Sequence, residues 1–213
     1  MIRNALAGAA LLAGTQPGLG AGYDQAFVDA FAAACVPGRL SYDATRGAAT
    51  AAGWGEVADS DHAELAALMA KSAEMLAAED EIDIEHVQSL YGRDVAGARH
   101  HLVVTRSVLG FEGDDDPWVM VGCHLYNFDA AAPLDPAPVT TLIGQPIGQS
   151  HEMAGALSHV WGPPCPMPRT GDTSLSFVAE GSEAAALTGF SGIALNFSTS
   201  EPDPGEDVPE TYC

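Results

Sequence analysis

Histidine titrates near neutrality and ligates metals through its neutral ring, so the seven histidines of this 213-residue chain are the first residues whose chemistry matters. Two segments, 99–109 and 118–128, alternate apolar and polar residues as strands do. Pairing them so that their apolar faces agree sets Leu102 opposite Leu125, Val104 opposite Cys123 and Val108 opposite Val119. The other face then gathers His101, His124 and Tyr126, with His101 directly facing Tyr126 and His124 diagonal to it. Two imidazoles and a phenol can move protons, which makes these three the candidate catalytic residues, and His101 and His124 the candidate metal ligands. The competing reading is structural: half-buried histidines hydrogen-bonded beside Trp118 and Met120. It is supported by the alternation itself, because the adjacent His100 and His101 must point to opposite faces and no third ligand is assured.

Other signatures each fail at a named residue. His151-Glu152 begins like a zinc-protease helix, but Met153-Ala154-Gly155 follows, and the second histidine needed one helical turn on is absent. His159 lies eight positions after His151, about 80° further round a helix. Gly189-Phe190-Ser191-Gly192-Ile193 lacks the last glycine of a nucleophile elbow, and Ser191 begins a strand. Lys71, the single lysine, has Leu68 where a serine–lysine hydrolase needs its serine. Gly18 and Gly20 look like part of a dinucleotide loop but have no strand before them. Acidic clusters at Glu112, Asp114, Asp115 and Asp116, and at Glu79, Asp80, Glu81, Asp83 and Glu85, offer oxygen ligands without the glycine and terminal-glutamate spacing of a calcium loop.

The four cysteines, Cys35, Cys123, Cys165 and Cys213, are widely separated and form no CxxC pair, which favours disulfides over zinc or redox catalysis. Three connectivities are open. Cys35 with Cys123 and Cys165 with Cys213 is preferred, because the first two fall in a helix end and an apolar strand, the others in loop-like or tail segments. An oxidising compartment agrees with the first 22 residues, where Arg3 precedes an apolar run from Ala5 to Ala13 and small or helix-breaking residues follow. That run is too short to span a bilayer, so residues 1–22 are expected to be a removed signal peptide and the protein periplasmic or secreted. Net charge is −21 and becomes more negative once Arg3 is removed, which excludes nucleic acid and anionic membrane surfaces as partners.

The elements that must position these residues read as helices first and strands afterwards. Phe27, Phe31 and Ala34 recur at helical spacing up to Val36-Pro37-Gly38; a second helix fits 42–52; Leu65, Leu68, Met69, Ala73 and Leu76 mark a third. Strands are expected at 84–91, 99–109, 118–128, 156–161, 174–179 and 191–198, with turns at 92–98 and 181–189 and a short helix at 139–142. The segregation predicts an α+β fold, the N-terminal helices on one face of a mostly antiparallel sheet of about five or six strands. Residues 23–200 form its single domain, and 201–213 an acidic tail tied down by Cys213.

By elimination, the expected function is non-catalytic: a secreted periplasmic binding or interaction module for a small ligand or an envelope protein, without a cofactor or transmembrane segment. The alternative is a periplasmic hydrolase or metal-dependent enzyme that uses the histidine-bearing sheet face. An envelope structural component is a third class.

Overall fold

The fold is seen in a computed structural model, which describes residues 21–79, 82–110 and 117–211. In chain order its elements are α1 (Ala21–Cys35), α2 (Tyr42–Ala51), β1 (Gly55–Glu56), α3 (Ala63–Ala78), β2 (Asp83–Val95), β3 (Ala98–Gly110), β4 (Trp118–Asn127), α4 (Ala137–Ile143), β5 (Gln149–Met153), β6 (Ala156–Trp161), β7 (Thr170–Val178), α5 (Glu183–Thr188) and β8 (Gly192–Ser200), with a 3-10 turn at Asp59–Asp61 before α3. The chain is α+β, and its strands form one antiparallel sheet in the order β1-β2-β3-β4-β8-β7-β6-β5. Two meanders therefore meet along β4 and β8.

Local chemistry explains most boundaries. Ser41 caps α2, its hydroxyl accepting the N–H of Ala44 at 3.4 Å. Gly144 and Gly189 close α4 and α5 in the left-handed conformation that glycine adopts without steric penalty. The β2–β3 hairpin turns on Ala96 and Gly97, both at positive φ as a tight two-residue turn requires. This moves the turn expected at 92–98. Gly92 stays within β2, paired with Gly55 and His101, and Arg99 crosses it where a Cβ would meet the guanidinium at 2.2 Å.

One face of the sheet carries the main core. Phe27, Phe31 and Ala34 of α1 and Val139 and Ile143 of α4 bury against Leu102, Val104, Cys123, Leu125, Leu195 and Phe197. Cys35 and Cys123 are disulfide-bonded across this layer, joining the end of α1 to the middle of β4. Of the second expected pair, Cys213 lies outside the described residues. The tail nevertheless reaches Cys165, whose carbonyl accepts the Thr211 hydroxyl at 3.1 Å.

Four expectations are corrected. The sheet has eight strands, not five or six, because two-residue β1 and the exposed β5 carry no apolar alternation to betray them. His151 and Glu152, read as loop residues, lie in β5, and the supposed turn at 181–189 contains α5. The N-terminal helices do not share a face. α3 packs on the opposite side, where Leu65, Leu68 and Met69 meet Val103, Tyr126, Phe128 and Ala194. Both sides of β3 and β4 are apolar, so each side needs a cover.

The core disulfide accords with an oxidising compartment. Among the described residues no helix is long and apolar enough to cross a membrane. Apart from Ala21 and Gly22, which begin α1, the expected signal peptide lies outside the described residues, as does the acidic turn at 112–116.

Candidate functional site

The register of β3 on β4 is the expected one: His101 faces Tyr126, Leu102 faces Leu125, Val104 faces Cys123 and Val108 faces Val119. His101, His124 and Tyr126 thus share the face under α3, yet their side chains do not converge. The His101 ring is 1% exposed and turns toward the 3-10 turn, with Nε2 2.9 Å from Oδ2 of Asp61. The same oxygen accepts from Arg99 through Nε at 3.1 Å and Nη2 at 2.9 Å. The hydrogen bond from His101, then those from Arg99, hold the Asp61 carboxyl below its ordinary range, while burial lowers His101 against the pull of Asp61. Nδ1 of His101 is buried without a protein partner. In a Ser-His-Asp triad the carboxylate takes Nδ1 and the hydroxyl faces Nε2, so the pairing of His101 with Asp61 is the reverse of that arrangement.

His124 lies on the other side of Tyr126. Alternation along β4 stacks rings at every second residue: His124 on Tyr126 at 6.4 Å and 9°, then Tyr126 on Phe128 at 5.2 Å and 12°. His62, at the start of α3, extends the stack over Phe128 at 5.0 Å and 22°. Burial pushes His124 down to about 4 and raises the Tyr126 phenol. His86 contributes to the depression of His124, so a second imidazole stands near it. The Nδ1 of His86 is 2.9 Å from the Ser107 hydroxyl, and its Nε2 is buried without a partner. Among the described residues no three histidine, cysteine, aspartate or glutamate side chains are grouped to hold a metal.

A concavity lies beside the start of α3, and residues of both sheet faces line it. Where β4 and β7 end and β8 begins, a cleft of about 840 Å³ is lined by residues that include His62, Glu64, Phe128, Asp129, Phe177 and Glu180. Long-range closure builds it. Ser191 donates its hydroxyl to Oε1 of Glu64 at 2.7 Å and its N–H to Oε2 at 2.8 Å, clamping the first turn of α3 onto the start of β8. His62 caps α3, its Nδ1 accepting the N–H of Glu64 at 3.1 Å, which leaves the ring hydrogen on Nε2, 3.6 Å from Oδ1 of Asp129. Asp129 is exposed, as is Glu180. Ser191 thus donates to a carboxylate and not to an imidazole, so it is not activated as a nucleophile.

Sequence reasoning missed His62, Glu64, Asp129 and Glu180. They come from three separate segments, and the one available signal was Ser191, a turn serine too polar for the apolar strand it precedes. His151 and His159, the other spaced pair, point to opposite faces: His151 pairs with Ser158, whereas His159 pairs with Ser150, bonding its hydroxyl at 2.8 Å. No protein-family model, curated protein or solved structure matches the chain.

Proposed function

We propose that this chain is a secreted, periplasmic binding module that takes a small ligand in the cleft between the start of α3, the end of β7 and the segment after β4. The volume of that cleft, about 840 Å³, carries the reading, because it falls within the range of small-molecule sites. The frame around it supports the same view. A disulfide-tied core lies on one face, and the Glu64–Ser191 clamp fixes one wall.

The test is a ligand screen of the full chain by thermal shift, repeated on Ala131→Trp. Ala131 is exposed and lines the cleft, so the indole fills it without entering the core. A compound that raises the melting temperature of the wild type and not of A131W is the expected result. Ligands that stabilise both proteins equally would place binding elsewhere and remove this function from the cleft.

A hydrolytic or metal-dependent reading of His101, His124 and Tyr126 retains one specific observation, the unpartnered buried Nδ1 of His101. If His101→Ala with His124→Ala abolished bound metal or a hydrolytic activity in a folded protein, that reading would replace the first.

A further inference from the structure

The charges around the cleft narrow what it takes. Resting on the binding reading above, we infer that the ligand is a small organic ammonium ion, a protonated amine or quaternary ammonium on an apolar body. Among the described residues three carboxylates line the cleft, Glu64, Asp129 and Glu180, and no lysine or arginine does. Glu64 is occupied by Ser191. Asp129 has only the His62 ring within ion-pair distance, and among the described residues Glu180 makes no salt bridge, so two carboxylates at the mouth are available to a cation.

The walls between them are apolar. Ala130, Ala131 and Ala179 line the cleft with two aromatic rings. Phe128 is 5% exposed and has both faces covered, one by Tyr126 and the other by His62. Phe177 is half-buried: it packs on the main core opposite Ile193, and the part of its ring left at the cleft is the aromatic surface a ligand can meet, by hydrophobic contact or by cation–π attraction.

Competing classes fit less well. An anion would enter a concave site lined by like charge on a protein of net charge −21. A bare metal ion needs several converging ligands, and no such group exists among the described residues. An apolar neutral molecule would fill the volume but leave the charge of Asp129 and Glu180 unmatched. An ammonium head at the mouth with its hydrocarbon body against Ala130, Ala179 and Phe177 satisfies both parts of the lining.

Three probes with one body and different heads test this: 2-phenylethylamine, 2-phenylethanol and 3-phenylpropionate, each titrated into the full chain and followed by amide chemical shifts. The amine is expected to move resonances of residues 129–131 and 177–180, the alcohol to bind about tenfold more weakly and the acid not at all. Asp129→Asn and Glu180→Gln should together lower the affinity for the amine about tenfold or more, whereas Asp43→Asn, an acid on α2 outside the cleft, should leave it unchanged. If the alcohol matched the amine at the same residues, the binding site would stand and the cationic class would fall. If Asp43→Asn weakened the amine as much as the cleft variants, the attraction would belong to the net charge and the assignment would be wrong. If none of the probes moved cleft resonances, the ammonium assignment would fall, while the binding function would still be decided by the thermal-shift screen of the wild type against A131W.

Discussion

His100 is fully enclosed between β3 and α1, at the end of a chain of hydrogen bonds that leaves no room for a second ring proton. The Asn127 amide donates to the Tyr23 hydroxyl, the hydroxyl is 2.8 Å from Nε2 of His100, and Nδ1 is 2.8 Å from the carbonyl of Ala98. A neutral ring hydrogenated on Nδ1 satisfies every member. Protonating Nε2 would set a donor against the hydroxyl's own donor, and burial, the larger cause, already pushes His100 down to about 4. In the unfolded chain the same ring takes its proton near 6.5. The unfolded state therefore binds more protons between these values, and stability falls as pH drops from about 6.5 to about 4, by an amount on the order of 3 kcal/mol from this one residue. Urea unfolding across that window should show the slope, and His100→Gln should make it shallower, leaving the part that the buried His124 contributes, even though the variant starts less stable. An unchanged slope in the variant would assign the acid sensitivity to other groups. From the sequence, His100 was readable only as the neighbour that must point away from His101. Its partner Tyr23 lies 77 residues earlier, and no spacing rule links them.

Legibility changes with the kind of element. The β3–β4 register could be read because each strand has a strict apolar alternation and a one-residue slip would turn a whole apolar set to the wrong face. β5 could not, since an edge strand exposed along its length has no buried side to pattern. The face chosen by α3 was also hidden, because an amphipathic helix shows which of its own sides is apolar and not which side of a sheet it will cover. The candidate site suffered from that, as its cleft exists only where α3 docks beside β8. Cys35 and Cys123 were paired correctly from their settings, a helix end and an apolar strand. That bond closes a separation of 88 residues, for which the chain-entropy account gives about 4–5 kcal/mol. Cys35→Ala with Cys123→Ala should lower the unfolding free energy by about 3–5 kcal/mol. Both sulfurs sit in the main core and not at the cleft, so ligand-induced shifts should survive wherever the variant remains folded. A change below about 1 kcal/mol would show that α1 is held by apolar packing alone.

At the scale of the molecule, 29 acidic residues against 8 basic ones set two opposing responses to salt. Compacting a chain of net charge −21 brings like charges together, so screening stabilises the folded domain. The tail responds the other way. Arg106 reaches Glu201 at 3.1 Å and Arg169 pairs with Glu206, so the segment after β8 is held on the domain by partly exposed ion pairs. Such pairs are worth roughly 0–1 kcal/mol each and weaken as the Debye length shrinks from about 30 Å at 0.01 M to about 8 Å at 0.15 M. Between these salt concentrations the urea midpoint of the whole protein should rise, while cleavage of the segment 201–211 by a protease in the native state should become faster. Arg169→Ala should speed that cleavage at low salt and reduce its dependence on salt, because one of the two screened anchors is gone. A tail that stayed equally protected at both concentrations, in the wild type and in the variant, would be held by its backbone contacts instead. They include the Glu201 N–H on the carbonyl of Val119 and the Thr211 hydroxyl on that of Cys165, which no salt concentration in this range would loosen.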